Sequence, residues 1–233
     1  MRFRHEQKYL INYYDYTFIK LRLQPLLSID SNVETDGSYS VRSLYFDDYH
    51  NTAYNDKYAG VLNRSKYRIR LYNMSDRMIH LERKIKEGAY NIKQTASLTR
   101  EEVNCVLQGD YQFLLYSPNE LTKIFYYECI SNFMRPRVVV DYEREPYLME
   151  MGNVRITFDK NIRAGMEGFD IFDASMSTIE ALPPDLLIME VKFTEFLPNI
   201  VRQLLPSESA DYTAVSKYIL ACEKTMHRRY SHI

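Results

Sequence analysis

The chain has 233 residues, 45% of them hydrophobic, with a net charge of −1 and only seven glycines. That hydrophobic content suffices for a sizeable core and excludes disorder, and the neutral total excludes the overall basic excess of a nucleic-acid binder. No run approaches the ~18 apolar residues of a membrane span, and the scarcity of glycine argues against a P-loop or Rossmann nucleotide site.

Residues 3–11 read as a strand and not a signal peptide, because no apolar stretch follows the basic residues of M-R-F-R-H. Asn12 then opens a helical stretch whose apolar positions Tyr14, Phe18, Leu21 and Leu26 are expected to face the core. S-I-D-S-N-V-E-T-D-G-S is polar and reads as a loop. S-Y-S-V-R-S-L-Y-F-D-D is a β-branched and aromatic strand, and a short helix follows it and stops at Gly60. Asp47-Asp48 resembles a metal pair but reads better as a turn and helix cap.

Strands 64–74, 77–86 and 89–97, joined by N-M-S-D and E-G, form an antiparallel meander. Thr99 with Glu102 is a capping box for a helix over 99–108, and Asn119 caps another over 119–132. Strands 135–148 and 153–160 precede an irregular segment, 165–183. Strand 186–193 and helices near 198–205 and 211–225 end the chain. No repeat or linker divides it, so one domain, 1–233, is expected.

Charged residues recur at every second position along several of these strands. Glu6 alternates with Lys8, Lys66 with Arg68 and Arg70, Glu82 with Lys84 and Lys86, Arg155 with Thr157 and Asp159, and Glu190 with Lys192. The opposite parity is apolar or aromatic, as at Tyr67, Ile69, Leu71, Ile156, Phe158 and Val191. A half-buried sheet would turn the charged face to water. A closed barrel packed outside by helices would turn it inward, giving a basic lumen suited to polyanionic phosphate and a divalent metal.

Arg68, Arg70 and Lys66 form the densest ridge. Like charges on one strand face repel, so an anion between them is the expected partner. Glu190 lies in L-L-I-M-E-V-K-F, where a carboxylate must be paired or bind metal. A salt bridge with Lys192 or a neighbouring arginine competes there with Mg²⁺ or Mn²⁺ coordination. On spacing alone Lys217, near the apolar edge of its helix, reads as solvated. Cys105, Cys129 and Cys222 fit no metal pattern and are expected to be reduced thiols in a cytoplasmic protein, and the five histidines form no zinc-type pair.

E-Q-K-Y, S-L-Y-F-D, K-Y-R-I-R, L-E-R-K, I-K-Q, Y-E-R, V-R-I-T-F-D, M-E-V-K and S-K-Y occur in that order. From Glu6 to Tyr218 this resembles the VTC domain, the catalytic domain of polyphosphate polymerases in the triphosphate tunnel metalloenzyme superfamily. The resemblance implies an α+β fold, an antiparallel closed β-barrel forming a triphosphate tunnel with peripheral helices. Carried over by motif, phosphate would be bound by Lys8, Arg68, Arg70, Lys84, Lys93, Arg144 and Arg155, with Lys192 added from the face of Glu190. Tyr142 would lie near the nucleotide base. Glu190 would hold Mn²⁺ or Mg²⁺ with Glu6 as a second acidic ligand, and Lys217 would be the chain-end lysine. Arg68, Arg70, Lys84 and Glu190 would carry the catalysis.

Ala214 stands where the eukaryotic pattern has a second lysine, and Glu6 where the eukaryotic catalytic subunit has a small polar residue. The implied function is transfer of the γ-phosphoryl group of ATP to phosphate or polyphosphate with release of ADP. The alternatives are a tunnel-type triphosphate or polyphosphate hydrolase, with Glu6 or Glu82 orienting water, and a non-catalytic polyphosphate-binding module. The implied partners are ATP or another triphosphate and inorganic polyphosphate. Regulation and export are expected to need other chains.

Overall fold

A computed structural model describes residues 5–30, 33, 37–88, 90–194, 196–206 and 215–230. Its strands are β1 (His5–Asn12), β2 (Ser28–Ile29), β3 (Tyr39–Asp47), β4 (Arg64–Tyr72), β5 (Ser75–Glu87), β6 (Tyr90–Leu98), β7 (Arg135–Met149), β8 (Val154–Gly165), β9 (Thr178–Glu180) and β10 (Leu186–Phe193). Its helices are α1 (Tyr13–Leu23), α2 (Thr52–Tyr58), α3 (Arg100–Gln108), α4 (Glu120–Ser131), α5 (Asn199–Arg202) and α6 (Lys217–Tyr230). The α+β class, the antiparallel pairing and the flanking helices are as expected. None of the described helices is long and apolar enough to cross a membrane.

The chain forms two compact units, each assembled from three segments. The first draws on residues 1–40, 142–162 and 180–216, the second on 41–141, 163–179 and 217–233. In the first, β1 pairs with β10 and β10 with β8, both antiparallel. β8 neighbours β7, and β2 adds to β7. Tyr9, Ile11, Phe158, Leu187, Met189 and Val191 supply the apolar face of these strands to the core.

Helix α1 corrects the expected orientation. Asn12 caps it, its Oδ1 accepting from Asp15 N at 2.8 Å. Yet Tyr14, Phe18 and Leu21 are 81%, 51% and 65% exposed, while Tyr16, Ile19 and Leu23 are buried. The helix carries two apolar stripes, and periodicity does not choose between them. A distant carboxylate decides: Tyr16 Oη donates to Glu145 at 2.5 Å, and Lys20 and Lys160 approach that carboxylate at 2.7 and 3.1 Å.

In the second unit β3, β4, β5 and β6 pair antiparallel in sequence order, with β7 beside β3. Asn73 and Met74 make the tight β4–β5 turn with positive φ, and Gly88 begins the next turn at φ +56. Leu44, Phe46, Tyr67, Ile69, Leu71, Ile79 and Leu81 meet Val103 and Val106 of α3 and Leu121, Phe125 and Cys129 of α4. The Thr99–Glu102 capping box is formed, and Asn119 Oδ1 accepts from Leu121 N at 2.9 Å.

Helix α5 is shorter than the expected 198–205. Helix α6 begins at Lys217, and residues 211–214 of the expected 211–225 helix, Ala214 included, lie outside the described residues. Residues 3 and 4 of the expected first strand do as well.

Candidate functional site

The charged faces of the strands are not simply solvated. Arg70, Glu82, Asp159 and Glu190 are all buried, although they share a parity with the ridge of cations. Carboxylates in that position need counter-charges, and each unit supplies them locally.

In the first unit, register aligns Lys8 with Glu190 and Glu190 with Thr157; the next row aligns Glu6 with Lys192 and Lys192 with Arg155. Directly opposed residues share a face of the sheet. Lys8 Nζ bridges two carboxylates, 3.1 Å from Glu6 Oε1 and 3.2 Å from Glu190 Oε1. Burial would push the Lys8 pKa down, but Glu190 and Glu6 outweigh it and hold the ammonium charged. Lys192 Nζ lies 2.9 Å from Glu190 Oε2, and Arg144 Nη2 is 3.9 Å from the same oxygen. Both ion-pair partners that competed with metal for Glu190 are therefore present, and Lys8 is a third.

Arg144 is fixed more firmly by Asp159, its Nε and Nη2 donating at 2.6 and 2.7 Å. Burial opposes the guanidinium charge, and Asp159 outweighs it. Tyr142 stacks beneath, its ring centroid 5.3 Å from the guanidinium carbon. Arg155 Nη2 turns to Asp30 at 3.1 Å and to Tyr39 Oη at 3.3 Å, and its Nε is buried without a hydrogen-bond partner.

The second unit is organised around Glu82, which the β4–β5 register places opposite Arg68. Nε and Nη2 of Arg68 converge on Glu82 Oε2 at 2.7 and 2.6 Å, and Lys93 Nζ reaches Oε1 at 2.8 Å. Arg70 Nη1 stands 3.9 Å away, its Nε donating to Ser43 Oγ at 3.0 Å. Burial alone would raise the Glu82 pKa, but Arg68, Arg70 and Lys93 drive it well below the carboxylate range. An internal carboxylate thus supplies part of the negative charge expected between these cations. Lys66, Lys84 and Lys93 form a like-charged row one register step on. Within that row Lys93 is the member paired with Glu82.

Lys217 opens α6 and is buried, against the solvated reading from spacing. Its neighbour Tyr218 donates its hydroxyl to the Asp47 carboxylate, and the Tyr218 ring lies 5.2 Å from that of Tyr45. Tyr45 Oη accepts from Arg68 Nη1 at 3.0 Å. Burial would raise its pKa, but Arg68, Arg70 and Lys217 together lower it. Asp47 is a cap, as expected: its carboxylate accepts from the backbone N–H groups of Asp48, Ala53 and Tyr54 at 3.0, 2.9 and 3.1 Å.

Two anchoring carboxylates had a sequence signal that was not used for this role. Asp159 follows the parity of Arg155, and Glu82 lies two residues before Lys84. Asp30, in a polar loop, had none.

Among the described residues no group of three or more His, Cys, Asp or Glu side chains is placed to hold a metal. Glu6 and Glu190, joined through Lys8, are the carboxylates that fit one. Both are hard oxygen donors, and a magnesium-like ion commonly takes one or two carboxylates and completes its shell with phosphate and water. Thr157 Oγ1, buried opposite Glu190 with no hydrogen-bond partner, adds an unused oxygen there.

Two solved structures share the fold at low sequence identity. A candidate adenylyl cyclase from Hippeastrum, described as revealing a dominant triphosphatase activity, is 14% identical with a TM-score of 0.57, and the match covers 96% of each chain. A candidate adenylate cyclase from Bacillus halodurans is 11% identical with a TM-score of 0.50, covering 99% of this chain and 90% of that one. No curated protein matches the sequence. The model of the VTC domain matches residues 3–226, almost the whole length on which these clusters are built, and the chain belongs to the VTC domain family.

Proposed function

We propose that this chain is a polyphosphate polymerase that transfers the γ-phosphoryl group of ATP to phosphate or polyphosphate and releases ADP. The supporting observation is the pair of guanidinium groups pre-aimed by buried carboxylates, Arg144 by Asp159 and Arg68 by Glu82. Phosphoryl transfer asks mainly for in-line positioning and charge neutralisation, and a fixed planar fork supplies both to a phosphate oxygen pair.

The residues assigned to phosphate are Lys8, Arg144, Arg155, Lys192, Arg68, Arg70, Lys84, Lys93 and Lys217. Tyr142 orients Arg144. Glu190 and Glu6 hold Mn²⁺ or Mg²⁺, which supplies charge neutralisation at phosphate oxygens when bound. The family membership supports triphosphate chemistry, and it is the ordered row of Lys66, Lys84 and Lys93 that favours an extended anion over a compact one.

Triphosphate hydrolysis is the second reading. It is favoured by Glu6 and by the triphosphatase activity described for the Hippeastrum protein. Lys217→Ala separates the two. In a polymerase, loss of a buried cation that holds the chain end lowers polymer yield several-fold more than it lowers ATP consumption. Equal loss of both, read by gel-resolved products beside ADP release, counts against the assignment of Lys217.

A further inference from the structure

Lys8 occupies the position that a bridging cation would take. Its ammonium lies within 3.2 Å of one oxygen of Glu6 and one of Glu190, and both carboxylates are otherwise poorly exposed. With Lys192 at 2.9 Å from Glu190, the group Glu6, Glu190, Lys8 and Lys192 is balanced, two negative charges against two positive. A divalent ion entering that balanced group would leave it with a surplus of two positive charges in a buried setting, which is costly without an incoming anion. Thr157 Oγ1, 98% buried with its residue and facing Glu190 across the β8–β10 pairing, has no hydrogen-bond partner while Lys8 is in place.

We infer that Lys8 is an exchangeable counter-ion: it bridges Glu6 and Glu190 in the free protein and moves to phosphate when triphosphate arrives, vacating the carboxylates for the divalent metal. The inference rests on the metal assignment of Glu190 under the proposed function and adds an order of events to it. The lysine stem is long enough to swing its head group by several ångströms while its backbone stays in β1. Triphosphate then supplies the negative charge that the metal needs, and Thr157 gains a partner in the ion or its water. Metal and triphosphate bind with positive coupling, so metal alone binds poorly.

The test is Mn²⁺ binding to the full chain without nucleotide or phosphate, followed by loss of the free-ion electron paramagnetic resonance signal. Lys8→Met removes the internal cation and is expected to tighten Mn²⁺ binding at least tenfold over wild type. Lys8→Arg keeps the charge and is expected to bind as weakly as wild type. Adding Glu190→Gln to Lys8→Met is expected to abolish the gain. Folding of each variant is checked by thermal melting, with Lys8→Gln in reserve should Lys8→Met fail to fold. If wild type already binds Mn²⁺ tightly, Glu190→Gln removes that binding and Lys8→Met leaves it unchanged, the exchange is refuted while the metal site stands. If Lys8→Met binds Mn²⁺ no more tightly than wild type, the exchange is refuted; if in addition Glu190→Gln leaves unchanged the Mn²⁺ that the protein retains with tripolyphosphate present, the metal assignment itself is overturned.

Discussion

Replacing Glu82 by Gln is the most informative single change, because it should move stability and anion affinity in opposite directions. Gln keeps the volume and can still accept hydrogen bonds, but it no longer offsets Arg68, Lys93 and Arg70. Arg68 and Lys93 bond to the carboxylate at 2.6–2.8 Å. A bond to a charged group contributes about 1.5–3 kcal/mol, against about 0.5–1.5 for a neutral one. The Lys93 side chain is 56% exposed, so its share is small, and most of the loss falls on Arg68. The sum is about 2–3 kcal/mol of lost stability. For a chain of this size that lowers Tm by about 4–12 °C.

The same substitution removes a negative charge beside the cations assigned to phosphate. At roughly 7 Å and an effective dielectric constant near 20, repulsion of one phosphate charge is about 2 kcal/mol. Some of it is offset by looser positioning of Arg68, leaving a gain in tripolyphosphate affinity of about tenfold, larger at low salt. Thermal melting and isothermal titration with tripolyphosphate, at two salt concentrations, read both effects. A variant that melts with wild type refutes the ion-pair account of Glu82. Weaker tripolyphosphate binding refutes the predicted gain and shows that aiming Arg68 outweighs the charge that Glu82 neutralises.

Asp159→Asn should cost about 3–5 kcal/mol of stability, since it leaves Arg144 buried with its nearest carboxylate at 3.9 Å. It should also weaken tripolyphosphate binding about tenfold, because the fork is no longer held; melting and titration check the two. Glu145 predicts an acid limb. Burial would raise its pKa, but hydrogen bonds from Lys20, Tyr147 and Tyr16 lower it from an ordinary 4.5 to about 2. Its contribution is complete above pH 4.5 and is lost as pH falls from 4.5 toward 2, about 3 kcal/mol in all. Urea unfolding across that range should show Glu145→Gln less stable than wild type at pH 6 and nearly equal to it at pH 2.

Element types were legible in the sequence where local chemistry decides them. Strand 186–193, the Thr99–Glu102 capping box, the Asn119 cap and the Gly88 turn all stand as read. The helix caps at Asp47 and Asn12 likewise depend on neighbours a few residues away. What was not legible depended on register and on distant partners.

The clearest case is Glu82. Tyr72 pairs with Ser75 across the turn, and continuing that register would put Arg68 opposite Ile79. An irregularity between Arg70 and Tyr72 shifts the pairing by three residues and brings Arg68 opposite Glu82 instead. A register slip of odd length exchanges the faces of a strand, so no count along the sequence could have found this pair without knowing the bulge. The face of α1 was hidden for a similar reason, since Glu145 is 129 residues from Tyr16. Strand parity placed the cations of β4 and β5 on one face, whereas Asp159 was given no role and Glu82 only that of orienting water in the hydrolase alternative.

The central claim is that ATP leaves this protein as ADP and chain. The most direct measurement incubates this chain with ATP labelled at the γ-phosphate and Mn²⁺, then resolves label in polyphosphate from label in free phosphate while counting ADP. The account predicts label in chains, with one ADP released for each phosphate they gain. Label found only in free phosphate, at every protein concentration, would contradict the polymerase and leave a triphosphatase. No ADP at all would reduce the chain to a binding module.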